Sequence, residues 1–260
     1  MNRTQRVEQF LTIACRKGLY SSPGNLRYYV HYLFQDTTLA EKTMLDIGGG
    51  AGLFSFYAGC CGASRVVCLE PMAAGSSPGM VDQFQRFSTL LGLNQVSIYP
   101  IKLQDFDPGN ETFDIVLLHN SINHLDEAAC MALQHDRHAV ETYKRVFEKL
   151  STLASPGAKL IIADCSRYNF FALCRLKNPF GPTIEWHKHQ SPDHWARLLS
   201  DVGFCNPKIR WASFNSLQSI GRLLLGNKVA AYFLQSDFCL TMGKPGSNGF
   251  CGLAVGHAGK

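Results

Sequence analysis

No apolar run in this 260-residue chain reaches the roughly 18 residues that a bilayer-spanning helix needs, so no membrane partner is expected. The opening stretch, MNRTQRVEQFLTIACRKG, breaks its apolar pattern with Arg and Glu and does not read as a secretory signal. The ten cysteines form no pair of pairs with metal-ligand spacing: Cys60 and Cys61 are adjacent and the rest are scattered. Several lie in apolar stretches (VVCLE, IIADCS, DFCLTM), where a thiol acts as a small hydrophobe, so reduced thiols and a cytoplasmic location are expected. Charge is scarce too. Asp, Glu, Lys and Arg make up 17% of the residues and the net charge is +5, with the cations scattered rather than striped, which argues against a nucleic-acid partner. No internal repeat is found.

What is present is a globular balance, 46% apolar, in a length suited to one domain with a substantial core. The runs TMLDI (43–47), RVVCLE (65–70), VSIYPI (96–101), FDIVLL (113–118) and KLIIAD (159–164) read as buried parallel strands. Helical spacing covers 3–18 and 26–34, with SSPGN (21–25) between them, then regions near 52–61, 79–91 and 127–152. That rhythm predicts an α/β fold with a doubly wound, mostly parallel sheet. Residues 1–40 would form an N-terminal helical cap. From 165 to 195 the pattern turns irregular and aromatic, an insertion expected to act as a lid. SPDHWARLLSDVGF follows as a helix with Ser191 at its N-cap and Pro192 at its first position. Next come PKIRWASF, a helical SLQSIGRLLLGNKVAAYFL and a last strand, DFCLTM. That late helix is amphipathic enough to pack on the sheet edge or to make a homodimer contact. A membrane-surface role would need a basic face, and the segment supplies only Arg222 and Lys228. The domain is expected over 1–242, with a flexible glycine-rich tail over 243–260.

The stretch LDIGGGAG, residues 45–52, turns the first strand into a helix and places backbone N–H groups near a ligand. The dinucleotide fingerprint G-x-G-x-x-G fails in both registers, because Leu53 or Ser55 stands where the third glycine belongs. Gly48, Gly50 and Gly52 alternate instead, with Gly49 between the first two and Asp46 before them. A bulky residue there would block a ligand lying across the turn, and Asp46 could receive an ammonium group directly or through water. An amino-acid moiety fits that better than a pyrophosphate. The second strand ends in Glu70, where a carboxylate accepts from both hydroxyls of a ribose. Pro71 and Met72 would edge an adenine, Leu103 and Gln104 flank it, and Asp105 accept from its amino group.

In order, LDIGGGAG, VCLEP, LQDFD, FDIVLLHNSINHL and GAKLIIADCS resemble the class I S-adenosylmethionine-dependent methyltransferases, over residues 40–165. HWARLLSDVGF with its following strand, and DFCLTM, resemble that family's last two strands, the seventh antiparallel. The resemblance implies a seven-stranded Rossmann-like methyltransferase fold with N-terminal helices and a lid. It implies S-adenosylmethionine as cofactor and methyl transfer to oxygen or nitrogen of a small organic acceptor, of a kind met in specialised metabolism. It further implies that His119 and Asn120 lie near the methionine part of the cofactor, and that His124 faces cofactor and acceptor. An RNA or protein methyltransferase is the alternative. It would want a continuous basic surface or an appended module, and HNSI replaces the NPPY-type motif of amino-group methylation. A non-catalytic cofactor-binding partner subunit is a third reading.

Displacement of a methyl group from a sulfonium needs mainly alignment, worth about 7–11 kcal/mol in the best intramolecular cases. A base is needed only where the acceptor must lose a proton, and histidine is poised for that near neutral pH. His124 is the candidate; the competing reading has it packing on or capping the helix that begins near Asp126. Tyr28, Tyr29, Trp186 and His189 are expected to line an aromatic acceptor pocket under the lid. EWHKHQ would set His187 and His189 on one side of an extended stretch with no third ligand. The carboxylate-and-amide metal set of the catechol-type members finds only Asn120 and Asp164 in loose correspondence, so no metal is expected.

Overall fold

The computed structural model describes residues 2–72, 78–212 and 214–247. Helices α1 (Arg3–Arg16) and α2 (Pro23–Leu33) precede β1 (Thr43–Ile47), α3 (Leu53–Cys60), β2 (Arg65–Leu69), α4 (Met80–Leu91), β3 (Val96–Tyr99) and β4 (Phe113–His119). Then come α5 (Glu127–Ala132), α6 (Arg137–Leu153), β5 (Ala154–Cys165), α7 (Phe170–Leu173) and α8 (Pro192–Ser200). The chain continues through β6 (Cys205–Trp211), α9 (Gln218–Leu225), α10 (Lys228–Phe233) and β7 (Asp237–Gly243). The sheet order is β3-β2-β1-β4-β5-β7-β6. Strands β1 to β5 pair in parallel, and β7 runs antiparallel between β5 and β6.

Alternation along each strand divides the core into two layers. Leu45, Ile47, Val67, Leu69, Val116 and Leu118 face α6 and α8, where Tyr143, Phe147, Leu150 and Trp195 are fully buried. Met44, Val66, Cys68, Ile115 and Leu117 face the other side, against Phe56, Phe84 and the cap residues Phe10, Leu11, Leu26 and Leu33. Helices on both faces make the sheet doubly wound. The N-terminal cap is thus part of the main core.

Several boundaries differ from the sequence expectation, each for a local reason. The helix expected over 127–152 is two. Asp126 caps α5 by accepting from Ala129 N–H, and Asp136 caps α6 by accepting from His138 N–H, so the chain restarts between them. The helix expected across SLQSIGRLLLGNKVAAYFL breaks at Gly226, where a Cβ would meet the Arg222 carbonyl oxygen at 2.4 Å, and Asn227 caps α10. The stretch Trp186–Lys188 is a 3-10 turn rather than extended. Strand β5 begins at Ala154, five residues early. Gly243 closes β7, and the Lys244 ammonium donates to the carbonyls of Ser151 and Ala154, so the chain is held at that point. The remainder of the expected tail, 248–260, lies outside the described residues. Among the described residues eight cysteines carry free thiols, of which Cys174 is exposed and Cys15 half-buried.

Candidate cofactor site

Strands β1, β2 and β4 end side by side, and the loops leaving them enclose a cavity of about 850 Å³. Its floor is the glycine turn. Gly48, Gly50 and Gly52 have φ of +70°, +56° and +81°, a region that side-chain-bearing residues avoid. The four glycines have different neighbours. A Cβ on Gly49 would meet Cys68 Sγ at 2.6 Å and Asp46 Oδ2 at 2.7 Å, and one on Gly52 would meet the Phe84 ring at 2.5 Å. One on Gly48 would strike Ser121 Cβ at 2.5 Å. Gly50 alone is open: its Cβ would find only Met80 Sδ, at 3.6 Å, and Gly50 lines the cavity.

Glu70 lies at the end of β2 and accepts from the Gly50 N–H at 2.8 Å. The carboxylate thereby fixes the turn while lining the cavity. Pro71, Leu103, Gln104, Asp105, His119, Asn120 and His124 line it too, as does Gly48. Sequence reasoning missed Met80, Lys102, Ser121 and Glu127, which line the cavity as well.

Asp46 is fully buried beneath the turn; its Oδ2 accepts from Ser55 Oγ at 2.6 Å, while its Oδ1 has no hydrogen-bond partner among the described residues. Gly49 and Gly52 likewise serve packing and do not line the cavity. Met72 is exposed. Burial raises the Asp46 carboxyl to about 6, with the Ser55 hydrogen bond opposing and the charge of Glu70 adding. The folded chain therefore binds that proton more tightly than the unfolded chain, whose carboxyl titrates near 3.8. Asp46 thus favours the fold at low pH and loses that contribution as pH rises through about 6. Between pH 4 and pH 7 the native chain should lose about 2 kcal/mol of stability relative to Asp46→Asn. His119 shifts in the opposite sense but is common to both chains and cancels in the difference. Denaturant unfolding of the two chains across that range checks this; parallel profiles would place Asp46 in contact with water.

His119 ends β4. Burial pushes it down to about 4, against the pull of Asp164. It is neutral near pH 7, and its Nε2 lies at hydrogen-bond distance, 2.6 Å, from the phenol oxygen of Tyr29, which burial keeps protonated. A neutral imidazole so held suits contact better than proton transfer. His124 differs. Its Nδ1 lies 2.6 Å from Glu127 Oε1, it is 43% exposed, and it lines the cavity. A salt bridge from Lys188, at 3.4 Å, steadies Glu127 from the other side.

None of the four residues expected in the acceptor pocket lines this cavity. Tyr29 reaches it through His119, and Tyr28 lies near Arg222 at the cap. Trp186 is half-buried on its 3-10 turn. His189 points to β5, with its Nδ1 3.1 Å from Asp164 Oδ1. A different trio, without His187, gathers beside His189: donor atoms of Asp164, Cys165 and His189 lie within 4.8 Å of one another. Burial holds the Cys165 thiol well above its ordinary range, and so protonated.

Among the described residues no helix is long and apolar enough to cross a membrane. A family profile described as "Methyltransferase domain" matches residues 23–226. No curated protein gives a significant match. Among solved structures, this chain is similar to an S-adenosylmethionine-dependent methyltransferase from Aquifex aeolicus, at 15% identity and TM-score 0.54, over 84% of this chain and 87% of that one. It is similar to the N-methyltransferase NodS from Bradyrhizobium japonicum, at 13% identity and TM-score 0.51, over 85% and 97%. An O-methyltransferase family protein from Burkholderia thailandensis matches at 14% identity and TM-score 0.55, over 85% of this chain and 56% of its own. These likenesses carry the fold, and the profile carries the family. The chain belongs to the methyltransferase-domain family: it is an S-adenosylmethionine-dependent methyltransferase of the class I, Rossmann-like type.

Proposed function

We propose that the protein moves a methyl group from S-adenosylmethionine to an oxygen or nitrogen of a small organic acceptor, in the cytoplasm. The observation that carries this is the open side of Gly50, the one loop glycine whose missing Cβ leaves room within the cavity. Around that opening the turn would hold the amino-acid end of the cofactor and Glu70 its ribose. Leu103 and Gln104 would flank the adenine, Asp105 would accept from its amino group, and His119 with Asn120 would contact the methionine part. When bound, the cofactor supplies a methyl group activated on a sulfonium. The chain's own contribution is alignment, plus proton removal where the acceptor demands it. His124 is the base in this reading, turned by Glu127 so that Nε2 faces away from the carboxylate.

Isothermal titration with S-adenosylhomocysteine, with NAD as control, tests the cofactor site. Micromolar binding of the first alone supports the reading, and binding of neither overturns it. His124→Ala should lower turnover about a hundredfold while leaving cofactor affinity nearly unchanged, as loss of a base requires. Equal turnover would return His124 to a packing role beside α5.

A further inference from the structure

The chain's exposed apolar side chains are concentrated in two segments. Among the described residues, ten of the fourteen large exposed hydrophobics fall within 168–180 and 217–233, and Ile220, Leu223, Leu224 and Val229 are 65–84% exposed. The segments meet in space. Phe170 of α7 packs its ring 5.2 Å from Phe233 of α10, and α10 adjoins α9 across the Gly226–Asn227 turn. The surface therefore combines the outer side of α9 and α10 with Leu173 and Leu176 of the lid. A patch of this kind on a folded chain marks an interaction surface rather than ordinary exposure.

Charge decides what fits it. Neither 166–184 nor 202–236 contains a single Asp or Glu, whereas the remainder of the chain holds all 20. Arg175, Lys177, Arg222 and Lys228 are exposed among the apolar side chains. Lys228 has a loose acidic neighbour, Asp193 at 3.9 Å, and Arg222 bonds Gln35 and lies over the Tyr32 ring. A second copy of this chain would bring cations against cations. An anionic lipid surface answers both properties, taking the leucines into the acyl boundary and the cations onto phosphate. The late helix alone supplied two cations; the fold adds Arg175 and Lys177 from the lid.

We infer that the α7–α9–α10 face docks the protein on anionic membrane surfaces as a peripheral protein. Docking is a property of this face and does not depend on methyl transfer. The test is co-sedimentation of the full chain with phosphatidylcholine vesicles, with and without phosphatidylserine. Sedimentation with the anionic vesicles alone is expected. Arg175→Glu with Lys177→Glu should cut partitioning at least about twentyfold, since each cation near an anionic leaflet contributes roughly a fivefold effect. Ile220→Glu with Leu223→Glu should abolish it. Both variants should still bind S-adenosylhomocysteine as the native chain does, which shows them folded. Failure of the native chain to sediment with anionic vesicles overturns the inference, as does binding that survives both substitutions. A dimer dissociated by Ile220→Glu with Leu223→Glu, without vesicle binding, would assign the face to a second copy instead.

Discussion

Gly50→Val is expected to remove detectable binding of S-adenosylhomocysteine, a loss of at least about a hundredfold, or roughly 2.7 kcal/mol. Two effects combine. The residue sits at φ +56°, where a β-branched side chain is strained by about 1–3 kcal/mol. Its branches would also stand in the cavity, since nothing but Met80 Sδ borders the Cβ position. The fold should survive, because no packed neighbour is displaced, and Gly50→Ala should give an intermediate loss. Gly49→Ala makes the contrast. Its Cβ would collide with Cys68 and Asp46, so it should fail in folding before it fails in binding. Calorimetric titration beside a thermal melt separates the two failures. Undiminished affinity in Gly50→Val would remove the glycine turn from the cofactor site.

Glu70→Ala should weaken cofactor binding by about 1.5–3 kcal/mol, which is roughly 10- to 150-fold. Glu70 is nearly buried and accepts from the Gly50 N–H, so alanine deletes the ribose acceptor and releases the turn that receives the ligand's other end. Glu70→Gln keeps a neutral acceptor for that N–H and should lose less. A loss well under tenfold in Glu70→Ala, measured by titration, would leave the carboxylate with the turn alone.

The parts of this molecule that sequence made legible are those whose chemistry is local. Continuous apolar runs marked the parallel strands, and glycines with Glu70 at the next strand end marked the cavity floor. What escaped depends on approach through space. Nothing near Asp46 in sequence says that Ser55 will turn back to occupy its carboxylate. Likewise nothing near His189 says that Asp164, 25 residues earlier, will take its Nδ1. The aromatic residues assigned to the acceptor were read by type, and type carries no information on where they stand relative to the cavity. The break between α5 and α6 was visible as Asp136, but an aspartate inside a helical pattern is equally a solvated face.

Strand order carries a consequence for how the chain comes to be folded. β7 lies between β5 and β6, so β6 has no sheet neighbour until the residues after 236 have been made. During synthesis the edge of β5 stands open for the same interval, with its ladder of N–H and C=O groups unpaired beside a strand that cannot yet join it. β7 thus acts as a keystone: the sheet can close between β5 and β6 only after that strand has been made.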